Sequence, residues 1–127
     1  MHHRLAIIHT TPATIEPLKA LASEMLPDYE VVNFVDDSIL PQLARNGGDI
    51  REVEERWTSY ARFAEQGGAD VILSACSSVG ELAARAQSHF REVQALASPR
   101  KALARARAIG RPVLVTGSLY LLADLYA

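Results

Sequence analysis

Short apolar runs of strand length alternate with amphipathic stretches of helix length, and this alternation constrains the fold more than any other feature of the sequence. Leu5-Ala-Ile-Ile8 carries no polar residue, the pattern of a strand buried on both faces. His9-Thr-Thr-Pro12 breaks it. Thr14 is placed to cap a helix with Pro17 in its first turn, running to about Leu26. Ile15, Leu18, Leu21, Ala22 and Met25 repeat there at helical spacing. Tyr29 to Val35 reads as a second strand, closed by Asp36-Asp37-Ser38, and Ile39 to Arg45 as a short helix ending at Asn46-Gly47-Gly48. Asp49 then caps a long helix to about Gln66, with Ile50, Val53, Trp57, Ala61 and Ala64 on one stripe and Gly67-Gly68 as its stop.

The same rhythm continues. Asp70 to Ala75 is a third strand, and Ser77 or Ser78 opens a helix to about His89. Glu92 to Ala97 is a weaker fourth strand, and Ser98-Pro99 starts a helix that ends at Gly110. Pro112 to Thr116 is the fifth strand, and Ser118 caps a last helix through Tyr126. Five β-α units in succession demand right-handed crossovers and a parallel sheet. The expected fold is a flavodoxin-like, doubly wound α/β three-layer sandwich, with five parallel strands in the order 2-1-3-4-5. With no repeats, low-complexity stretches or linkers, residues 1–127 read as one domain.

The totals narrow the class of partner. A chain of 127 residues, 49% of them hydrophobic and 22% charged, is sized and composed for one globular core. Its apolar runs are too short to span a bilayer, and the N-terminus has no signal-peptide pattern. A lone cysteine, Cys76, cannot close an internal disulfide, which fits a reducing, cytoplasmic setting. A formal net charge of −2 gives no case for nucleic acid or membrane as partner. The distribution is uneven: seven Lys/Arg face thirteen Asp/Glu from Met1 to Gln87, whereas six face two from Ser88 onward. A solvated basic helix would also produce that contrast.

In an open parallel sheet, ligands bind beyond the carboxyl ends of the strands where strand order reverses. Here that point gathers His9-Thr10-Thr11 and Cys76-Ser77-Ser78, flanked by Asp36 and Asp37 on one side and by Ser98 and Gly117-Ser118 on the other. Helix N-termini aim unpaired N–H groups and positive partial charge into such a crevice, which with the hydroxyls suits a carboxylate or other small anion. Many doubly wound domains share this arrangement without any ligand. Cys76, between a strand end and a helix start, sits where the helix field favours a thiolate, although free cysteine more often packs as a small hydrophobe. His9 reads better as a capping or packing residue than as a ligand. Asp36-Asp37-Ser38 is explained by a turn and a helix cap, since no His or Cys stands at metal-ligand spacing. Trp57 and Tyr60 read as core and rim of the long helix. The sequence contains no GxGxxG, no GK[ST] phosphate loop, no CxxC pair and no GxSxG elbow, so no cofactor is expected.

His9-Thr-Thr-Pro-Ala-Thr14, Asp36-Asp-Ser-Ile-Leu40 and Ala75-Cys-Ser-Ser-Val-Gly80 together resemble the aspartate/glutamate racemase superfamily, over about residues 1–90. That resemblance implies two similar domains, each with one cysteine, that remove and return an α-proton on opposite faces of an amino acid. By it Cys76 is the first-domain acid/base, Ser77 and Ser78 are carboxylate donors, and Thr10 and Thr11 are first-loop contacts. Ser77 departs from the asparagine common after that cysteine, and the second domain with its cysteine is absent.

From about residue 91 the chain resembles instead the extreme C-terminus of folylpolyglutamate synthases and their Mur-ligase relatives. Ala95-Leu-Ala-Ser-Pro99 and Pro112-Val-Leu-Val-Thr-Gly-Ser-Leu-Tyr120 carry that likeness. Two parents of similar architecture joined between strands 3 and 4 would complete one domain, so the expectation is a chimeric, engineered scaffold. It would lack turnover and keep part of a carboxylate-binding crevice built from Thr10, Thr11, Ser77, Ser78, Ser98 and Ser118. The alternative is a cofactor-independent racemase or isomerase acting through Cys76, in which a homodimer would set two copies of Cys76 opposite each other.

Overall fold

The first strand, β1 (His3–His9), is the centre on which the rest is built. The computed structural model describes residues 3–75, 93–95, 103–104 and 113–116, the strands at 93–95 and 113–116 as backbone only. A 3₁₀ turn, Pro12–Thr14, leads from β1 into α1 (Ile15–Met25), and β2 (Tyr29–Val35) follows. Then come α2 (Ile39–Arg45), α3 (Arg51–Gln66), β3 (Val71–Ser74), β4 (Val93–Ala95) and β5 (Val113–Thr116). All described pairings are parallel. The protein is therefore an α/β fold with helices on both faces of a parallel sheet.

Alternation along β1 divides the core. Leu5 and Ile7 join Leu18, Leu21 and Ala22 of α1, Val71 and Leu73 of β3, and Leu103. Ala6 and Ile8 join Ile39 and Leu43 of α2, Val53, Trp57 and Ala61 of α3, and Ile72 of β3. Successive strand side chains point to opposite faces, so an unbroken apolar run is what a doubly covered strand requires. At roughly 1.5–3 kcal/mol for each fully buried large aliphatic side chain, β1 supplies a large share of the driving force for both layers.

The strand order is β2-β1-β3-β5-β4. This corrects the expected 2-1-3-4-5 at its last two positions: β5 lies against β3, and β4 takes the edge. The sequences suit those places, because Val113-Leu-Val-Thr116 is continuously apolar up to its last residue, while β4 is three residues long with Gln94 at its centre. Leu103, between β4 and β5 in the chain, gives a second line of support. A right-handed return from β4 to β5 runs in the same sense as β1 to β2 and puts its connection on the α1 face. Leu103 packs there, with Leu18 and Leu21. In the order 2-1-3-4-5 it would fall on the α3 face.

Local chemistry sets the element ends. Gly67 and Gly68 close α3, Gly68 with φ +87°, a conformation that favours glycine. The Arg4 N–H donates to the Asp70 carboxylate at 2.8 Å, and the Asp70 N–H donates to the Arg4 carbonyl at 2.9 Å, which locks the start of β3 to β1. The expected cap at Thr14 is corrected. Its side chain makes no capping bond to α1, and Thr11 caps the 3₁₀ turn instead by accepting from the Ala13 N–H. Asp49 accepts the Arg51 N–H at 3.0 Å, so it does tie down the first turn of α3.

The corrected order is testable by backbone hydrogen exchange followed by NMR. An interior β5 should show slow exchange along Val113–Thr116, while an edge β4 should be slow at alternate positions only. The reverse pattern would reinstate the order 2-1-3-4-5.

Candidate functional site at the carboxyl ends of the strands

The order β2-β1-β3 retains a reversal of chain progression between β1 and β3, so the candidate crevice opens beyond the ends of these strands. Each residue at this rim has a definite role or lacks one. His9, the last residue of β1, is wholly buried. Its Nδ1 lies 2.5 Å from Thr14 Oγ1 and its Nε2 lies 2.7 Å from Asn33 Oδ1. A neutral ring satisfies both contacts by donating Nε2–H to Asn33 and accepting the Thr14 hydroxyl at Nδ1. Burial lowers the His9 pKa below 6.5, and the bond to Asn33 opposes this only in part. The ring is thus a strap between β1, the following turn and β2, in line with the packing role read from sequence.

Asp36, just past β2, is equally occupied. Its Oδ1 accepts the Ser38 N–H at 2.9 Å and the Ser38 hydroxyl. Its Oδ2 accepts Arg56 Nε–H at 3.0 Å and the Tyr60 hydroxyl at 2.5 Å. Arg56 also donates to Gln42 Oε1 at 3.0 Å. Burial alone would raise the Asp36 pKa, but the donors from Ser38, Tyr60 and Arg56 outweigh it and hold the carboxyl at about 2. The same bond raises the Tyr60 pKa. With both oxygens filled, Asp36 is neither a free base nor a metal ligand. It clamps α2 and α3 to the end of β2.

Thr10 is the exception among the residues read from sequence. It is 2% exposed, and its Oγ1 finds no hydrogen-bond partner among the described residues. Thr11, partly buried, is spent on the 3₁₀ turn, where its hydroxyl accepts from the Ala13 N–H. Cys76, Ser77, Ser78, Ser98 and Ser118 lie outside the described residues.

Two further atoms share the condition of Thr10 and were not singled out from sequence. Ser74 Oγ and Trp57 Nε1 are buried and unpartnered among the described residues. Ser74 ends β3 and pairs with Ile8, and Trp57 packs in the same cluster as Ile8. Ser74 and Trp57 therefore share the α3 side of the sheet, and Thr10 follows the end of β1. No motif could have flagged them, because an unmet hydrogen bond is a property of the packed state.

Elsewhere, the described surface depressions lie along the outer face of α3 and at the opposite, amino-terminal edge of the sheet near Arg4 and Gly67. Among the described residues, no group of three His, Cys, Asp or Glu side chains could hold a metal ion. No described helix is long and apolar enough to cross a membrane. Compared with protein-family models, curated proteins and solved structures, the chain matches none.

The His9 strap predicts a pH dependence. Because the folded-state pKa is depressed, the unfolded chain binds the proton more readily. Stability should be full above pH 6.5 and fall as pH drops through 6.5 toward the folded-state value, by up to ~1.4 kcal/mol per pH unit. Urea unfolding at several pH values should show this loss in the wild type and a smaller one in His9→Gln. Parallel curves for the two proteins would contradict the assignment.

Proposed function

We propose that this chain is a small-carboxylate-binding domain of recombined, racemase-like build, which holds its ligand beyond the ends of β1 and β3 and does not turn it over. The observation that supports it is the state of Thr10. The first-loop hydroxyl that the racemase resemblance assigns to the ligand is buried at the strand end and engaged by no described group. A buried hydroxyl left without a partner destabilises a fold by about 1–3 kcal/mol. A ligand oxygen would remove that penalty.

On this reading Cys76, Ser77 and Ser78 continue the same rim directly after Ala75, whose N–H donates to the Ile8 carbonyl at 3.0 Å. A flavodoxin-like ancestry and a cytoplasmic setting belong to the reading, as does the junction between a racemase-like part and a folylpolyglutamate-synthase-like part. Racemisation needs an acid on each face of the α-carbon. Of the two thiols that this chemistry would use, residues 1–127 supply one, Cys76. Binding survives this loss, because it depends on neutral donors at the rim rather than on the second acid.

Alkylation of Cys76 tests the proposal. Iodoacetamide should label the folded protein, and sodium malonate should slow the labelling relative to sodium chloride at matched ionic strength. Thr10→Val, which removes only the hydroxyl, should lose that protection while the ligand-free protein gains up to ~1–3 kcal/mol. A thiol that reacts only after denaturation, with no effect of malonate, would overturn the proposal.

A further inference from the structure

We infer that the outer edge of β2 is an interface between two copies of this chain, joined antiparallel across a two-fold axis into one continuous sheet. The inference is independent of the carboxylate reading. β2 is the terminal strand of the order β2-β1-β3-β5-β4, with β1 on one side and no described strand on the other. The Asp36 N–H donates to the His9 carbonyl at 3.0 Å, closing the ladder between β1 and β2. Backbone groups alternate in direction along a strand. Glu30, Val32 and Phe34 therefore face β1, and Val31, Asn33 and Val35 turn their N–H and C=O groups outward.

Proteins blunt such edges with short strands, prolines, bulges or exposed lysines. The β4 edge follows that rule, being three residues long with Gln94 at its centre. β2 does not. It runs seven residues, Tyr29-Glu-Val-Val-Asn-Phe-Val35, in one-to-one register with β1, without proline, lysine or bulge. Its one charge, Glu30, is paired with Arg4 at 3.0 Å. Apolar side chains flank the edge on both faces. The exposed large hydrophobics among the described residues are Val35, 41% exposed, and Phe63, 54% exposed. Val35 lies on the α1 face, in alternation with Val31, which packs against the α1 layer. Phe63 lies on the α3 face, where it lines one depression with Val32, Phe34 and Ala64.

Length and charge select the occupant. β4 offers three residues against the seven of β2, so joining copies head to tail through the two edges would leave most of β2 unpaired. Pairing β2 with itself matches length with length. An antiparallel register centred on Val32 sets Val31 against Asn33 of the second copy and Val35 against Tyr29, so all three outward residues find partners. It also holds the two Glu30 carboxylates four residues apart along the seam, roughly 14 Å. That exceeds the Debye length of ~8 Å at physiological ionic strength. A parallel pairing in register would set them side by side. The antiparallel join points the carboxyl ends of the two sheets in opposite directions, so it does not set the two rims across one ligand.

Sedimentation of the intact chain over a range of concentrations tests the interface, with amide hydrogen exchange of β2 as a second readout that needs no variant. The chain should reach twice its monomer mass. The Val31, Asn33 and Val35 amides should exchange slowly in the dimer and fast on dilution. Val35→Lys and Phe63→Lys each place a charge on one face of the edge, at residues already exposed. By symmetry each substitution enters twice, so roughly tenfold weakening per site raises the dimer Kd about a hundredfold. A chain that stays monomeric up to about 1 mM would overturn the interface. So would a dimer that both substitutions leave unchanged. Outward amides that exchange slowly at every concentration would also overturn it, since they would be covered from within the chain.

Discussion

Burial of β1 on both faces is the constraint from which the structure follows. A parallel strand flanked by β2 and β3 has its backbone hydrogen bonds on both sides, and its side chains must be covered by separate layers. Leu5 and Ile7 recruit α1, and Ala6 and Ile8 recruit α2 and α3. The small side chain of Ala6 lets α3 lie close, and Trp57 supplies bulk on the same face. Every rim residue of the candidate site inherits its position from the point at which this strand stops.

The two faces differ in what they do with that stopping point. On the α1 face the last side chain of β1 is His9, fixed by Thr14 and Asn33, and the layer beneath it is apolar. On the α3 face the rim is polar. The outer part of that rim, around Asp36, Arg56 and Tyr60, is fully paired and acts as a clamp. Ser74 and Trp57 on this face, and Thr10 just past the end of β1, are buried with no described hydrogen-bond partner.

Much of this was legible from residue pattern. The bounds of β2 and α2 follow from apolar runs closed by Asp36-Asp37-Ser38 and Asn46-Gly47-Gly48, turn chemistry that acts locally. The packing role of His9 and the core role of Trp57 were readable from their places on a buried strand end and an apolar stripe, whereas the hydrogen bonds that make His9 a strap were not. The edge position of β4 was not. Alternation of β and α dictates parallel strands and crossover hand, but both orders satisfy it, and the choice depends on which strand better tolerates an edge. Thr14 was misread because its hydroxyl is taken by His9, a competition that appears only once the turn has formed. The unpartnered polar atoms of Ser74 and Trp57 were invisible because the spacing of a serine and a tryptophan says nothing about whether such atoms find partners.

The central claim is binding without turnover, and a single NMR sample addresses both halves. The folded protein in heavy water with L-aspartate should give saturation transfer from protein to ligand, while the α-proton signal keeps its intensity over days. Loss of the α-proton at a rate above that of buffer would show that Cys76 abstracts protons and that the chain is catalytic. Absence of saturation transfer to L-aspartate, and to L-glutamate in its place, would leave the rim at Thr10 without a carboxylate to bind and contradict the account.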